Sequence, residues 1–144
     1  MEDLDRFIEA QKGWYTVAYH EMEDGEKHGH WMWFIFPQLK GLGLSSKSKL
    51  YGLSGSKEAK AYYRHPILGK RLVEISKVLL TLDSNDPEAV MGSYTDAIKL
   101  KSCMTLFDEV TADEVFPHVI DKFFSGDRDI RTLQMLSEEK LGLA

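Results

Sequence analysis

The sequence predicts a mainly α fold, a compact single-domain bundle of short helices, with room for a small sheet near residues 31–36. Three observations carry this. Apolar residues recur at helical spacing in most segments. Runs of branched and aromatic residues with period two are scarce. Capping and breaking residues punctuate the chain at close intervals. At roughly 100–200 residues per domain, the 144 residues form one globular unit spanning 1–144.

Taken in order, Asp3 is placed to cap a first helix with Leu4, Phe7, Ile8 and Gln11 on one face. Gly13 bends it, and the period resumes with Trp14, Tyr15, Val17, Ala18 and Met22 until the polar turn Glu23–Lys27. The aromatic run Trp31–Phe36 stops at Pro37 and fits either a strand or a short buried helix. Gly41-Leu42-Gly43 and the serines after it read as a loop. Ser56 offers a cap for a helix over 57–63. His65-Pro66 opens the clearest helix, because proline suits a first turn, and Ile67, Leu68, Leu72, Ile75, Val78 and Leu79 give its apolar stripe. Asp86-Pro87 starts a short helix ended by Gly92, and Ser93 or Thr95 caps the next, carrying Ile98, Met104, Leu106, Phe107 and Val110. Asp113 precedes a helix from Val115 to Phe124, and Asp127 begins a last one with Ile130, Leu133, Gln134 and Leu136.

Composition narrows the function classes. The chain is 43% hydrophobic and 11% aromatic, too apolar for a disordered segment. No window approaches the ~18 apolar residues that cross a bilayer. The acidic start Met1-Glu2-Asp3 is unlike a secretory signal, so a cytoplasmic protein is expected. One cysteine, Cys103, rules out an internal disulfide and a multi-cysteine zinc site. Net charge is −5, yet residues 40–77 hold nine basic and two acidic side chains. Such a field can recruit an anion. Non-specific nucleic-acid binding is disfavoured, since the chain is acidic overall and its main aromatic cluster precedes the basic stretch.

Three segments are candidates for chemistry. His28–Gln38 holds two of the three tryptophans and two of the five histidines. Aromatics dominate cores, but indole N–H groups, an imidazole and the Gln38 amide also suit a pocket that stacks a planar ligand and reads its edge. Trp31, Trp33 and Gln38 are therefore candidate binding residues, and His30 is the candidate general acid or base. His28 and His30 have no third ligand at a metal spacing, so no metal and no cofactor is expected. Arg64, just ahead of the His65-Pro66 helix, is a candidate anion clamp. On the helix through Asp96–Phe107, Lys99, Ser102 and Thr105 are candidates for an anionic ligand. An intrahelical Asp96–Lys99 pair is the plainer alternative.

The same segments carry a resemblance. His30-Trp31-Met32-Trp33-Phe34-Ile35-Phe36-Pro37-Gln38-Leu39, His65-Pro66 with Leu68-Gly69 and Arg71-Leu72, Lys99-Leu100 with Ser102 and Met104-Thr105-Leu106-Phe107, and Phe123-Phe124-Ser125-Gly126 with Asp129 and Thr132-Leu133 resemble, over nearly the whole chain, a bacterial family catalogued as domain of unknown function 1810. The resemblance implies a mainly α-helical single domain and no established reaction. Where the family places Arg and Ser beside the Met-Thr-Leu-Phe motif, this chain has Lys101 and Cys103. Some members carry the label calpastatin, but a calpain inhibitor of that kind is disordered and proline-rich, whereas this chain has four prolines and a core's worth of apolar residues. A remoter likeness is to the family that processes ADP-ribose and nucleotide-like N-glycosides.

Two functional expectations follow. In the first, the chain binds or acts on a small anionic, ring-containing ligand, nucleotide-like or ADP-ribose-like. In the second it is a helical protein-interaction module without catalysis, using Met22, Met32, Met91 and Met135 as a partner groove. The sequence leaves oligomeric state and reaction type open.

Overall fold

Ten helices occupy residues 3–142, which are the residues the computed structural model describes. They are α1 (Asp5–Gln11), α2 (Tyr15–Asp24), α3 (Met32–Ile35), α4 (Ser46–Tyr51), α5 (Ser56–Arg64), α6 (Leu68–Leu80), α7 (Pro87–Met91), α8 (Tyr94–Val110), α9 (Val115–Phe124) and α10 (Ile130–Lys140). The mainly α class holds, and no strand occurs among the described residues.

The small sheet does not form. Residues 31–36 make the single turn α3, closed by bonds from the Ile35 N–H to the Trp31 carbonyl (3.2 Å) and from the Phe36 N–H to the Met32 carbonyl (3.0 Å). Every residue of this run except Trp33 is buried, so there is no solvent face for an alternating strand to present. Extended pairing appears only after Pro37, as one isolated parallel bridge between Leu39 and Leu53. The serine stretch expected as a loop is helix α4, with the Ser45 hydroxyl accepting from the Ser48 N–H at 3.1 Å.

Several caps differ in detail. Gly55, not Ser56, precedes α5, and the Glu139 carboxylate of α10 accepts from the Ser56 N–H. A Cβ on Gly55 would stand 2.0 Å from Glu139 Oε2, so only glycine admits this contact. His65 works as a cap: its Nδ1 accepts from the N–H groups of Ile67 (3.1 Å) and Leu68 (3.2 Å), leaving Pro66 in the turn between. The last helix begins two residues later than expected, because Asp129 rather than Asp127 caps it. Asp86 and Ser93 cap α7 and α8 as their positions suggest.

Helix α8 runs through the centre, with Leu100 and all of Ser102–Phe107 buried among α5, α7, α9 and α10. Met22, Met32 and Met91 lie in the core, so they form no partner groove. Gln11 ties three elements to the end of α1. Its amide donates to the Phe34 carbonyl (2.8 Å) and the Tyr62 hydroxyl (3.1 Å), and its oxygen accepts from Arg71 (3.0 Å). Gly69 allows α5 and α6 to cross closely, since a Cβ there would meet the Tyr63 carbonyl at 1.8 Å. No helix is long and apolar enough to cross a membrane among the described residues.

Replacing Gln11 with Ala strands a buried carbonyl, a phenol and a guanidinium at once. The variant is expected to lose about 2–4 kcal/mol of stability, read by urea unfolding.

Candidate functional site

The side chain of Trp33 leaves the core, and its surroundings are charged. Lys47 of α4 places its ammonium 4.9 Å from the ring centroid, and Lys99 of α8 places its own at 4.5 Å. Both distances fall within cation–π range. The Trp33 N–H is buried and has no acceptor among the described residues, which costs about 1–3 kcal/mol unless a ligand or solvent group takes it.

Lys99 is held by Asp96, Nζ to Oδ1 at 3.4 Å. The other oxygen of Asp96 takes the ammonium of Lys27 at 2.8 Å. Lys27 is buried, also donates to the Gly29 carbonyl (2.6 Å) and lies over Trp31. One carboxylate thus serves two ammonium groups, and the group leaves a net positive charge at Lys99.

A cleft of about 360 Å³ opens beside it. Gln38, Leu42 and Gly43 form one wall. Tyr94, Thr95, Ile98, Lys99 and Ser102 of α8 form another, and Asp129 and Arg131 stand at the start of α10. A smaller pocket of about 10 Å³, walled by Trp33, Phe36, Ser48, Tyr51 and Gly52, shares Gln38 and Lys99 with the cleft. Its size suits about one water molecule or one ligand oxygen. The α10 wall is fixed from α8: the Thr105 hydroxyl accepts from the Asp129 N–H at 2.9 Å, and Asp108 accepts from Arg128 Nε and Nη2 at 3.2 Å each.

Of the residues expected at a site, Trp33, Gln38, Lys99 and Ser102 line these two adjoining hollows. Thr105 is fully buried and acts one step away, by holding Asp129. Trp31 is sealed in the core, its N–H given to Glu21 at 2.8 Å. His30 is exposed and lines neither hollow. Arg64, exposed at the end of α5, lines neither as well. Among the described residues no cluster of His, Cys, Asp or Glu could hold a metal ion. Cys103 is buried, and burial pushes its thiol well above the usual range, away from the nucleophilic thiolate.

Sequence reading missed Arg131, Asp129, Tyr94 and Lys47. The basic stretch 40–77 gives only Lys47 to the site; the cleft cations come from α8 and α10, far along the chain. A larger hollow of about 540 Å³ lies between α2 and α6, but it is a broad groove in which the Tyr15 hydroxyl is already committed to Glu74 (2.9 Å) and to the Arg71 carbonyl (3.2 Å).

The family described as "Protein of unknown function (DUF1810)" matches residues 1–136. The chain is similar to the conserved hypothetical protein Rv1873 from Mycobacterium tuberculosis, solved as a crystal structure. The two are 41% identical with a TM-score of 0.90, over 94% of this chain and 96% of that one. No curated protein matches the chain.

The setting of Trp31 gives a pH test. Burial raises the pKa of Glu21, but the N–H groups of Gly29, His28 and Trp31 donate to the carboxylate and together hold it below its ordinary 4.5. A lowered folded pKa adds stability that is present above the unfolded value and is lost as pH falls through the folded one. The Glu21→Ala variant should lose about 1–3 kcal/mol at neutral pH. Its stability should also fall less steeply than the wild type's below pH 4.5, measured by urea unfolding across the acid range.

Proposed function

The chain belongs to the DUF1810 family of proteins of unknown function, and we propose that it binds a small anionic, ring-containing ligand in the cleft between α8 and α10. One observation carries the reading: Lys99 and Arg131 line the same hollow as the Gln38 amide and the Ser102 hydroxyl. Two cations beside neutral hydrogen-bonding groups match the chemistry of a phosphate attached to a hydrogen-bonding ring. The half-paired state of Lys99 supports it, because a ligand anion need not first break a tight ion pair. The start of α8 adds the positive end of a seventeen-residue helix dipole to the same wall.

Size sharpens the class. About 360 Å³ lies near the lower end of small-molecule sites, which favours a mononucleotide or sugar phosphate over a dinucleotide. Exposed Tyr94 at the rim offers a flat face for the ring. The lone buried thiol fits a reducing, cytoplasmic setting. The reading is of a binding site; no side chain in the cleft is assigned a catalytic step.

Titration with adenosine and guanosine monophosphates, ribose 5-phosphate and ADP-ribose, followed by tryptophan emission and melting temperature, tests this. Lys99→Met and Arg131→Met are each expected to weaken binding by about tenfold or more, a loss of about 1.4 kcal/mol. Arg64→Met and His30→Ala, outside the cleft, should bind as the wild type does. The proposal fails if no probe alters either signal up to roughly millimolar concentration.

A further inference from the structure

We infer that Asp129 is the specificity-determining residue of the cleft and selects ligands that carry a hydroxyl pair, such as a ribose diol, beside their anionic group. This rests on the cleft reading above and adds the hydroxyl half of the ligand to it. The two oxygens of Asp129 do different things. Oδ2 caps α10, accepting from the Thr132 N–H at 3.0 Å and from the Thr132 hydroxyl at 2.6 Å. Oδ1 accepts no hydrogen bond among the described residues and is not buried, on a residue that lines the cleft.

The carboxylate is also rigid. Its own N–H is anchored on the hydroxyl of Thr105, which is fully buried in α8, and the cap fixes the side chain from the other end. Holding an acceptor in place before binding removes the ordering cost that a mobile side chain would carry. Lys99 pairs with Asp96, and among the described residues Asp129 makes no ion pair with either cation of the cleft.

An ionised carboxylate only accepts hydrogen bonds. A ligand that is anionic all over would be repelled by this carboxylate, whereas one with its anion on Lys99 and Arg131 would offer its hydroxyls to Asp129 as donors. The cap alone does not call for this residue, because a serine or asparagine in that position caps comparably. The second oxygen is what the cap leaves over.

Asp129→Asn is the informative variant. Its amide oxygen must stay on Thr132 to keep the cap, so the amide NH₂ replaces the free acceptor and cannot receive a hydroxyl proton. Binding is measured by calorimetry for two probe pairs: adenosine 5′-monophosphate against its 2′,3′-dideoxy form, and ribose 5-phosphate against 2-deoxyribose 5-phosphate. The wild type is expected to favour the hydroxylated member by about tenfold or more, as for a lost charge-assisted hydrogen bond. The variant should bring each pair within about threefold of one another, bind the deoxy probes at least as well as the wild type does, and keep its melting temperature.

Equal wild-type affinity within each pair would overturn the role of Asp129 while leaving the cleft reading intact. So would an Asn variant that keeps the wild-type preference, or one that weakens all probes alike with a lowered melting temperature. Failure of every probe and of inorganic phosphate to bind would overturn both readings together.

Discussion

Asp96 answers two ammonium groups with a single carboxylate, and the site depends on how it divides itself. Lys27 is buried, and an unpaired charge at such a place costs several kcal/mol. It therefore holds the nearer oxygen, at 2.8 Å, and adds the Gly29 carbonyl. Lys99 takes what remains at 3.4 Å and rests on the Trp33 ring. The same carboxylate thus pins the 25–31 segment to α8 and sets a partly uncommitted cation over an indole. An anionic ligand of the proposed kind would meet a charge that is already placed, which is the advantage of preorganisation.

Trp31 and Trp33 are two residues apart and have opposite fates because α3 is gripped from both sides. Glu21 collects the N–H groups of His28, Gly29 and Trp31 on one oxygen and draws Trp31 inward. Gln11 takes the Phe34 carbonyl from the other end. With the turn fixed in this way, Trp33 is the one member of the aromatic run left half-exposed. The neighbouring loop packs tightly: a Cβ on Gly43 would stand 2.3 Å from the Ser48 hydroxyl, and one on Gly52 would stand 2.6 Å from the Lys40 backbone. Small residues here let α4 bring Lys47 onto Trp33 and close the inner pocket around Gln38.

Most helices were legible because their signals are local. Asp86, Ser93 and Asp113 bond the backbone a few residues on, and the stripe of α6 repeats on its own surface. What was not legible depends on distant partners. Residues 31–36 read as either a strand or a short buried helix, and the bonds that hold the helical turn come from Gln11 and Glu21, outside the run. Ser56 looked like a cap, yet its N–H is served by Glu139, more than eighty positions away. At the site, Trp33, Gln38, Lys99 and Ser102 stood out by residue type. Trp31 is equally conspicuous and is a core residue, since composition does not reveal which way a ring points. Arg131 was invisible for the opposite reason: an exposed arginine in a first helical turn is ordinary until Thr105 and Asp108 are seen to set that turn against the cleft.

The most direct measurement is the response of the three indole N–H resonances to a phosphate-bearing probe such as adenosine 5′-monophosphate. If the cleft and its inner pocket are the binding site, the Trp33 signal shifts progressively to saturation, while those of core-bound Trp31 and of Trp14, exposed at the start of α2 and lining neither hollow, stay in place. A Trp33 signal that does not move while backbone resonances elsewhere respond would contradict the account.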